Sequence, residues 1–531
     1  MKALRLGSLL LMAWMLWAPA LADDFEGLLQ PLIGNNMAAK AQAIQTIADT
    51  GDERALVVFE AILDGNLHFR RDTGQLVLAS LSGNQFQLRD LYTGEFLGEA
   101  SRREVSRVNV NNAIRSDLRT RRAALQLEIG TATDRRNAAR RLMSQVDEEL
   151  RPLFEQRLQV ESSRATRRYL EMGLALLDLQ DPDPRVRLAA VTNLDNDLLP
   201  QVRRALVPLA EQDPNDAVRE AAQRSVRDID TLLKVNRVAE NVYYGISLGS
   251  VLLLAAIGLA ITFGVMGVIN MAHGEMIMLG AYTTYVVQLM MPNHIEYSIL
   301  VAIPAAFMVA GLVGILIERG VIRFLYGRPL ETLLATFGIS LILQQAVRSI
   351  FSPLNRQVTT PEWMSGSFEI NGALALTYNR FYIIIFSLLV LAALMVLLKK
   401  THFGLQMRAV TQNRRMASAM GIRTGWVDAL TFGLGSGIAG IAGVALSQLT
   451  NVGPNMGQQY IIDSFLVVVF GGVGNLWGTL VGAMSLGITN KLIEPWTGAV
   501  LAKIVILVAV ILFIQKRPRG LFALKGRSVE D

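Results

Sequence analysis

Leu248–Gly267, a run of twenty residues with no charge, constrains this chain more than any other feature. At 1.5 Å rise per residue, a helix of that length spans about 30 Å, the thickness of a bilayer's hydrocarbon core. Similar runs follow it. The last 291 residues hold only 30 of the chain's 96 charged side chains. This half is expected to fold inside a bilayer, which removes most soluble-enzyme readings.

The composition changes sharply near residue 240, from an arginine-rich region to the apolar one. The net charge of +6 does not argue for nucleic acid. Many bases sit in short loops between apolar runs, where they mark the cytoplasmic side. With no cysteine in the chain, disulfides, thiolate metal sites and cysteine nucleophiles are excluded. Residues 1–22 read as an export signal: Lys2 and Arg5, a short apolar stretch over Leu9–Trp17, and an Ala20-Leu21-Ala22 cleavage site. An uncleaved signal anchor is the alternative. Either way residues 23–235 are expected outside the cytoplasm, in the periplasm of a Gram-negative cell.

This exported region carries a repeat. Asp181–Leu194 (DPDPRVRLAAVTNL) returns 32 residues later as Asp213–Val226 (DPNDAVREAAQRSV), with six of fourteen positions identical. Asp-Pro opens each copy, since proline is tolerated in a helix's first turn. Val186, Ala190 and Leu194 then form an apolar stripe, as do Val218, Ala222 and Val226. A period near 30 with paired helices points to a HEAT-like repeat, and Ala43–Gly65 reads as a degenerate earlier unit. Leu76–Ser80 and Phe86–Leu91 predict a β-hairpin. Asn111–Arg168 reads as long helix with arginine-rich faces, either simply solvated or a docking surface for an exported partner.

Nine apolar segments are expected in the membrane domain, residues 241–516: about 243–264, 274–291, 298–317, 332–351, 381–398, 429–448, 461–475, 476–493 and 499–515. The seventh is short and contains Gly471, Gly472 and Gly474, so a re-entrant segment, and eight spans, is the alternative. The fold expected is all-α: a polytopic helical membrane domain behind an exported, mainly helical HEAT-like domain with a small β-hairpin. The loop Lys399–Arg423 has six bases and no acid, and the tail 517–531 is basic as well. Both belong in the cytoplasm by the positive-inside rule. An exported start followed by nine crossings ends on that side.

No Walker A sequence is present, so the chain has no nucleotide site of its own to read. Gly472–Gly478 has the wrong spacing for a dinucleotide loop; close packing or a backbone break explains its glycines better. His273-Gly274-Glu275 lacks the cysteines a zinc deaminase needs, and no metal site is expected. The polar cluster Asn270, His273 and Glu275 either faces an aqueous path or caps one helix and starts the next. Asn455, Gln458 and Asp463 pose the same choice. These six are the candidate solute-pathway residues. In Thr401–Thr424, Leu405, Ala409, Met416 and Met420 follow helical spacing opposite the bases, and Gly421 stops the helix. The expected amphipathic helix either lies on the membrane, sets topology, or receives force from a cytoplasmic motor.

Residues 241–520 resemble the permeases of branched-chain-amino-acid-type ABC importers. The resemblance rests on Phe263–Glu275 (FGVMGVINMAHGE), Gly404–Ala409 (GLQMRA) with Asn413, Ala417, Gly421 and Ile422, Leu434–Gly443, and Phe470–Thr479 (FGGVGNLWGT). A narrower likeness is to the urea-importer branch, through the exported domain, Val358–Ser367, Thr450–Asn455 and Asn490–Ala499. The resemblance implies a five-part machine. An exported solute-binding protein delivers urea to this subunit and a second, related permease subunit, and two ATPase subunits drive alternating access. ATP and Mg belong to those partners; no cofactor is implied in this chain, and membrane lipid is its other contact. Arg408, Asn413, Ala417 and Gly421 would form the ATPase-coupling helix, although Arg415-Met416-Ala417 departs from the wider Glu-Ala-Ala signature. The alternatives are a permease for branched-chain amino acids or short amides, an ion-coupled secondary transporter, or a sensor with a membrane anchor.

Overall fold

The computed structural model describes residues 24–82 and 85–522. The expected export signal and the end of the basic tail lie outside the described residues. Two compact units divide between Asp230 and Thr231.

The first unit is helical with a sheet inserted. Helices α1 (Asp24–Leu29), α2 (Met37–Asp49) and α3 (Arg54–Asp64) come first. Gly65 ends α3 in the left-handed conformation. Five strands follow: β1 (Leu67–Arg70), β2 (Leu76–Ser82), β3 (Gln85–Asp90), β4 (Phe96–Ala100) and β5 (Val105–Arg107). They form an antiparallel sheet in the order β4-β3-β2-β1-β5. The expected hairpin is its β2–β3 pair, with Leu81 opposite Phe86. The hairpin is thus only part of the sheet, because short β1, β4 and β5 lack the alternation that made the central pair legible.

The long helix expected over Asn111–Arg168 is corrected to α4 (Asn112–Ile129), α5 (Ala132–Met143), α6 (Arg151–Val160) and the start of α7 (Arg164–Asp178). Local capping outcompetes continuation. Thr131 and Asp134 form a reciprocal capping box, and Ser163 accepts from the Thr166 amide. In the repeat, Asp183 caps α8 (Pro184–Asn193), and α9 (Pro200–Gln212) follows. Asn215 accepts from the amides of Ala217 and Val218 at the start of α10 (Asp216–Met266).

In the second unit, α10 continues and is followed by α11 (His273–Met290), α12 (Ile295–Gly320), α13 (Pro329–Phe351) and a hairpin, β6 (Ser367–Asn371) with β7 (Leu374–Thr377). Then come α14 (Tyr378–Lys400), α15 (His402–Gln412), α16 (Arg414–Ala419), α17 (Thr424–Ser447), α18 (Met456–Gly471), α19 (Leu476–Thr497) and α20 (Ala499–Lys516). Among the described residues, six of these helices (α12 taken on to Phe324) are long and apolar enough to cross a membrane: α10, α12, α13, α14, α17 and α20.

Helix α13 shows the solvent this unit is built for. Leu330, Leu334, Ile342 and Ile350 are exposed, whereas Thr332, Thr336, Ser340 and Gln344 are buried. A water-soluble helix sorts these the other way. In hydrocarbon, apolar side chains lose nothing by facing outward, and polar ones need partners inside. Helix contacts are made by small residues at backbone distance: a Cβ on Gly280 would overlap the backbone of Gly440 on α17.

Candidate functional site

Helix α10 ends at Met266, and the chain turns back through Gly267, whose φ is +68°. The imidazole Nε2–H of His273 donates to the Ala255 carbonyl at 2.8 Å. Ala255 lies eleven residues before Met266, about 16 Å up the helix axis. Helix α11 therefore starts in the middle of the layer, not at its edge. Asn270 shapes the approach, its Oδ1 accepting from the Ala272 amide at 3.0 Å. Gly274 in the first turn of α11 meets Gly457 in the first turn of α18, each backbone filling the space of the other's missing Cβ. Two helices, of 18 and 16 residues, thus begin side by side and touch where neither has a side chain.

Glu275, in the first turn of α11, is 1% exposed. Its Oε1 accepts from Ser340 Oγ at 2.9 Å and from Gln344 Nε2 at 2.7 Å. Thr336, one turn earlier on α13, accepts at Oγ1 from the Met271 amide at 3.1 Å. One turn later, Arg348 Nη2 donates to Asn455 Oδ1 at 2.7 Å. A polar line at every fourth residue of α13 thus follows the break before α11 to the break before α18. Along it, Glu275 Oε2, Asn270 Nδ2 and His273 Nδ1 are buried and have no partner among the described residues. Each keeps unused hydrogen-bonding capacity at the break.

Of the six pathway candidates, Asn270, His273, Glu275 and Asn455 fall along this crossing. Gln458 is exposed on the first turn of α18. Asp463 is not at the head of a segment, as expected from sequence, but seven residues inside α18, paired with Lys503 at 2.9 Å. Helix α18 begins at Met456, five residues before the apolar run. Sequence reading missed Thr336, Ser340, Gln344 and Arg348. The signal was present: polar residues at 332, 336, 340, 344 and 348 put five hydrogen-bonding groups on one helical stripe.

The expected coupling helix is corrected to two. Asn413 breaks it in an extended conformation and caps α16, accepting from the Met416 amide at 2.9 Å. The proposed stripe points outward: Leu405 on α15, and Met416 and Met420 after the break, are exposed, and Met407, Val410 and Ala417 are buried instead. Gly421 ends the segment at φ +86°, where glycine avoids the Cβ penalty. Arg408 donates to the Leu398 carbonyl. Arg414 pairs with buried Asp428 at the start of α17 and lies 4.7 Å over the Tyr326 ring. These contacts fasten the pair of short helices to the layer.

Broken helices meeting inside an apolar layer, with buried hydrogen-bonding groups at the breaks, define an α-helical membrane permease. The chain belongs to the family described as branched-chain amino acid transport system / permease component, whose model matches residues 241–514. It is 31% identical over 293 residues to the high-affinity branched-chain amino acid transport system permease protein LivH of Salmonella typhimurium, covering 53% of this chain and 94% of that one. Over 288 residues it is 29% identical to BraD of Pseudomonas aeruginosa, a protein of the same description, covering 52% and 93%. A probable LivH of Methanocaldococcus jannaschii is 26% identical over 300 residues, covering 53% and 91%. No solved structure matches.

Proposed function

We propose that this chain is a permease subunit of an ATP-driven importer in a bacterial inner membrane. It moves a small nitrogen-bearing solute past the half-helix crossing by alternating access. The observation that carries this is the polar line along α13, buried from Thr336 to Gln344 around Glu275 and opening at the exposed Arg348–Asn455 contact, in an otherwise apolar unit of a permease-family chain. The machine would comprise a second permease subunit, two ATPase subunits and an exported solute-binding protein. The exposed face of Leu405, Met416 and Met420 offers the ATPases an apolar contact. Residues 23–235 would face the periplasm as a HEAT-like domain, with eight or nine membrane segments behind them and the tail 517–531 in the cytoplasm.

The names of the relatives favour branched-chain amino acids as the solute. A second reading, urea, rests on the motifs Val358–Ser367, Thr450–Asn455 and Asn490–Ala499, and on the first 240 residues lying outside the family match. Neutral hydroxyl and amide groups along α13 suit urea, whose donors and acceptors need replacement but whose charge is zero. The test is uptake of labelled leucine and labelled urea in cells with and without the gene. Loss of leucine uptake alone selects the amino-acid reading, and loss of urea uptake alone selects urea. If neither changes, the importer reading fails.

A further inference from the structure

A second polar site lies apart from the crossing. Helices α10, α18, α19 and α20 line a half-open cavity of about 170 Å³. Apolar residues such as Leu248 and Leu252 share its lining with Tyr460, Asp463, Asn490, Lys491, Glu494 and Lys503. Two ion pairs line this one cavity: Lys503 Nζ to Asp463 Oδ2 at 2.9 Å, and Lys491 Nζ to Glu494 Oε2 at 2.6 Å. Asn490, Lys491 and Glu494 come from the Asn490–Ala499 motif, for which the crossing has no use.

The placement of Lys503 is informative. It lies four residues into α20, about 6 Å from the helix end. A lysine so placed ordinarily extends its chain toward the headgroups; this one turns instead to Asp463 on a neighbouring helix. Both pairs are partly exposed, Lys503 to 51%, and within an apolar layer such pairs recover little of their desolvation cost. Charges at membrane depth therefore mark function by default. Here they surround a space of solute size and present both donors and acceptors to it.

We infer that this cavity is a solute subsite, taking a small polar molecule that offers N–H donors to Asp463 and Glu494 and an oxygen acceptor to Lys491 and Lys503. An α-amino acid and urea share that chemistry. A solute entering between the pairs replaces each broken contact with one of like kind, so neither charge is left bare. Asn490 and Tyr460 add neutral hydrogen-bonding groups to the lining, and Leu248 and Leu252 accommodate an apolar end. The inference rests on the importer reading and adds to it a site that discriminates solutes before the crossing.

The experiment is ATP-dependent uptake of labelled leucine and labelled urea in cells carrying chromosomal Asp463→Asn, Lys503→Met or the charge-exchanged pair Asp463→Lys/Lys503→Asp. Protein abundance in the membrane is measured alongside. The single variants are expected to raise the KM of the imported solute at least tenfold at unchanged abundance. The exchanged pair restores the ion pair but reverses the site, and is expected to leave leucine KM raised if leucine is the solute. If urea is the solute, its neutral groups tolerate the exchange only in part, and KM stays above that of the parent. Full recovery of the parent KM in the exchanged pair, or normal KM in both single variants, overturns the subsite and leaves the importer intact. Absence of ATP-dependent uptake of both solutes in the parent overturns the importer reading and the subsite together.

Discussion

In residues 24–230, buried carboxylates are held by arginine. Glu161, 4% exposed, accepts from Arg135 at 2.8 and 3.1 Å and from Arg157 at 3.0 and 3.2 Å, and Asp213 is gripped by Arg187. In residues 231–522 the buried carboxylate of Glu275 is held by a hydroxyl and an amide, and the helices meet through glycine backbones. Water at the edge of the first unit solvates the remote ends of its guanidinium groups. At the crossing a hydrocarbon surround offers no such help, and neutral donors with close backbone packing stand where the first unit uses charge pairs, which the second unit keeps elsewhere, as in Arg414–Asp428. One sequence thus carries two packing rules, which explains why its two halves differ so much in arginine and glycine use.

The largest effect should come from filling a glycine contact in the second unit. Gly280→Val puts its Cβ into the Gly440 backbone, and a loss beyond about 3 kcal/mol is expected, since backbone cannot give way as side chains do. Folded, monodisperse protein recovered in detergent reads this out. Gly338→Val, with nothing within 4 Å of its Cβ, is the control that should survive.

Next comes Glu161→Ala in the first unit, which strands Arg135 and Arg157 together. A loss of about 3 kcal/mol is expected, seen as faster amide exchange over residues 132–178 of the full chain. Hydrogen bonds from Arg135 hold the Glu161 carboxyl down to about 2. Because the folded value lies below the unfolded one, this stabilisation is complete above about pH 4.5 and declines as pH falls toward 2. The variant should lack that part of the acid sensitivity.

Glu275→Ala leaves the Ser340 and Gln344 donors without their acceptor, at about 1–3 kcal/mol. Glu275→Gln should cost less, because an amide oxygen still accepts from one of them. Thermal unfolding in detergent ranks the three proteins. Equal loss in both variants would show that the charge matters as it does in the first unit, and would blur the distinction drawn above. The smallest effect is Gly421→Ala, about 1 kcal/mol of local strain at positive φ, expected to lower solute uptake while membrane abundance stays unchanged. Normal uptake would remove the coupling role from this turn.

The helices of the second unit were legible because long uncharged runs leave a chain few other options in a bilayer. The capped helices of the first unit were less so: Thr131, Asp147 and Ser163 cut a continuous pattern through short-range hydrogen bonds that periodicity ignores. At the crossing, Asn270, His273 and Glu275 stood out as polar groups in an apolar run. Ser340 and Gln344 did not, because each is unremarkable alone, and only the four-residue spacing joins them to Glu275. The phase of α16 relative to α15 was misread because Asn413 resets it, and a single helical wheel cannot represent a break.

The meeting of α11 and α18 has an electrical consequence. Both helices present their starts to the crossing, and each start carries about half a positive elementary charge from its aligned peptide dipoles. The two sum to about one positive elementary charge, and Glu275, in the first turn of α11, carries a carboxylate of the size and sign that would balance it. The break is thus built from parts that can settle their charge among themselves, two helix starts against one acid, with no arginine in the account.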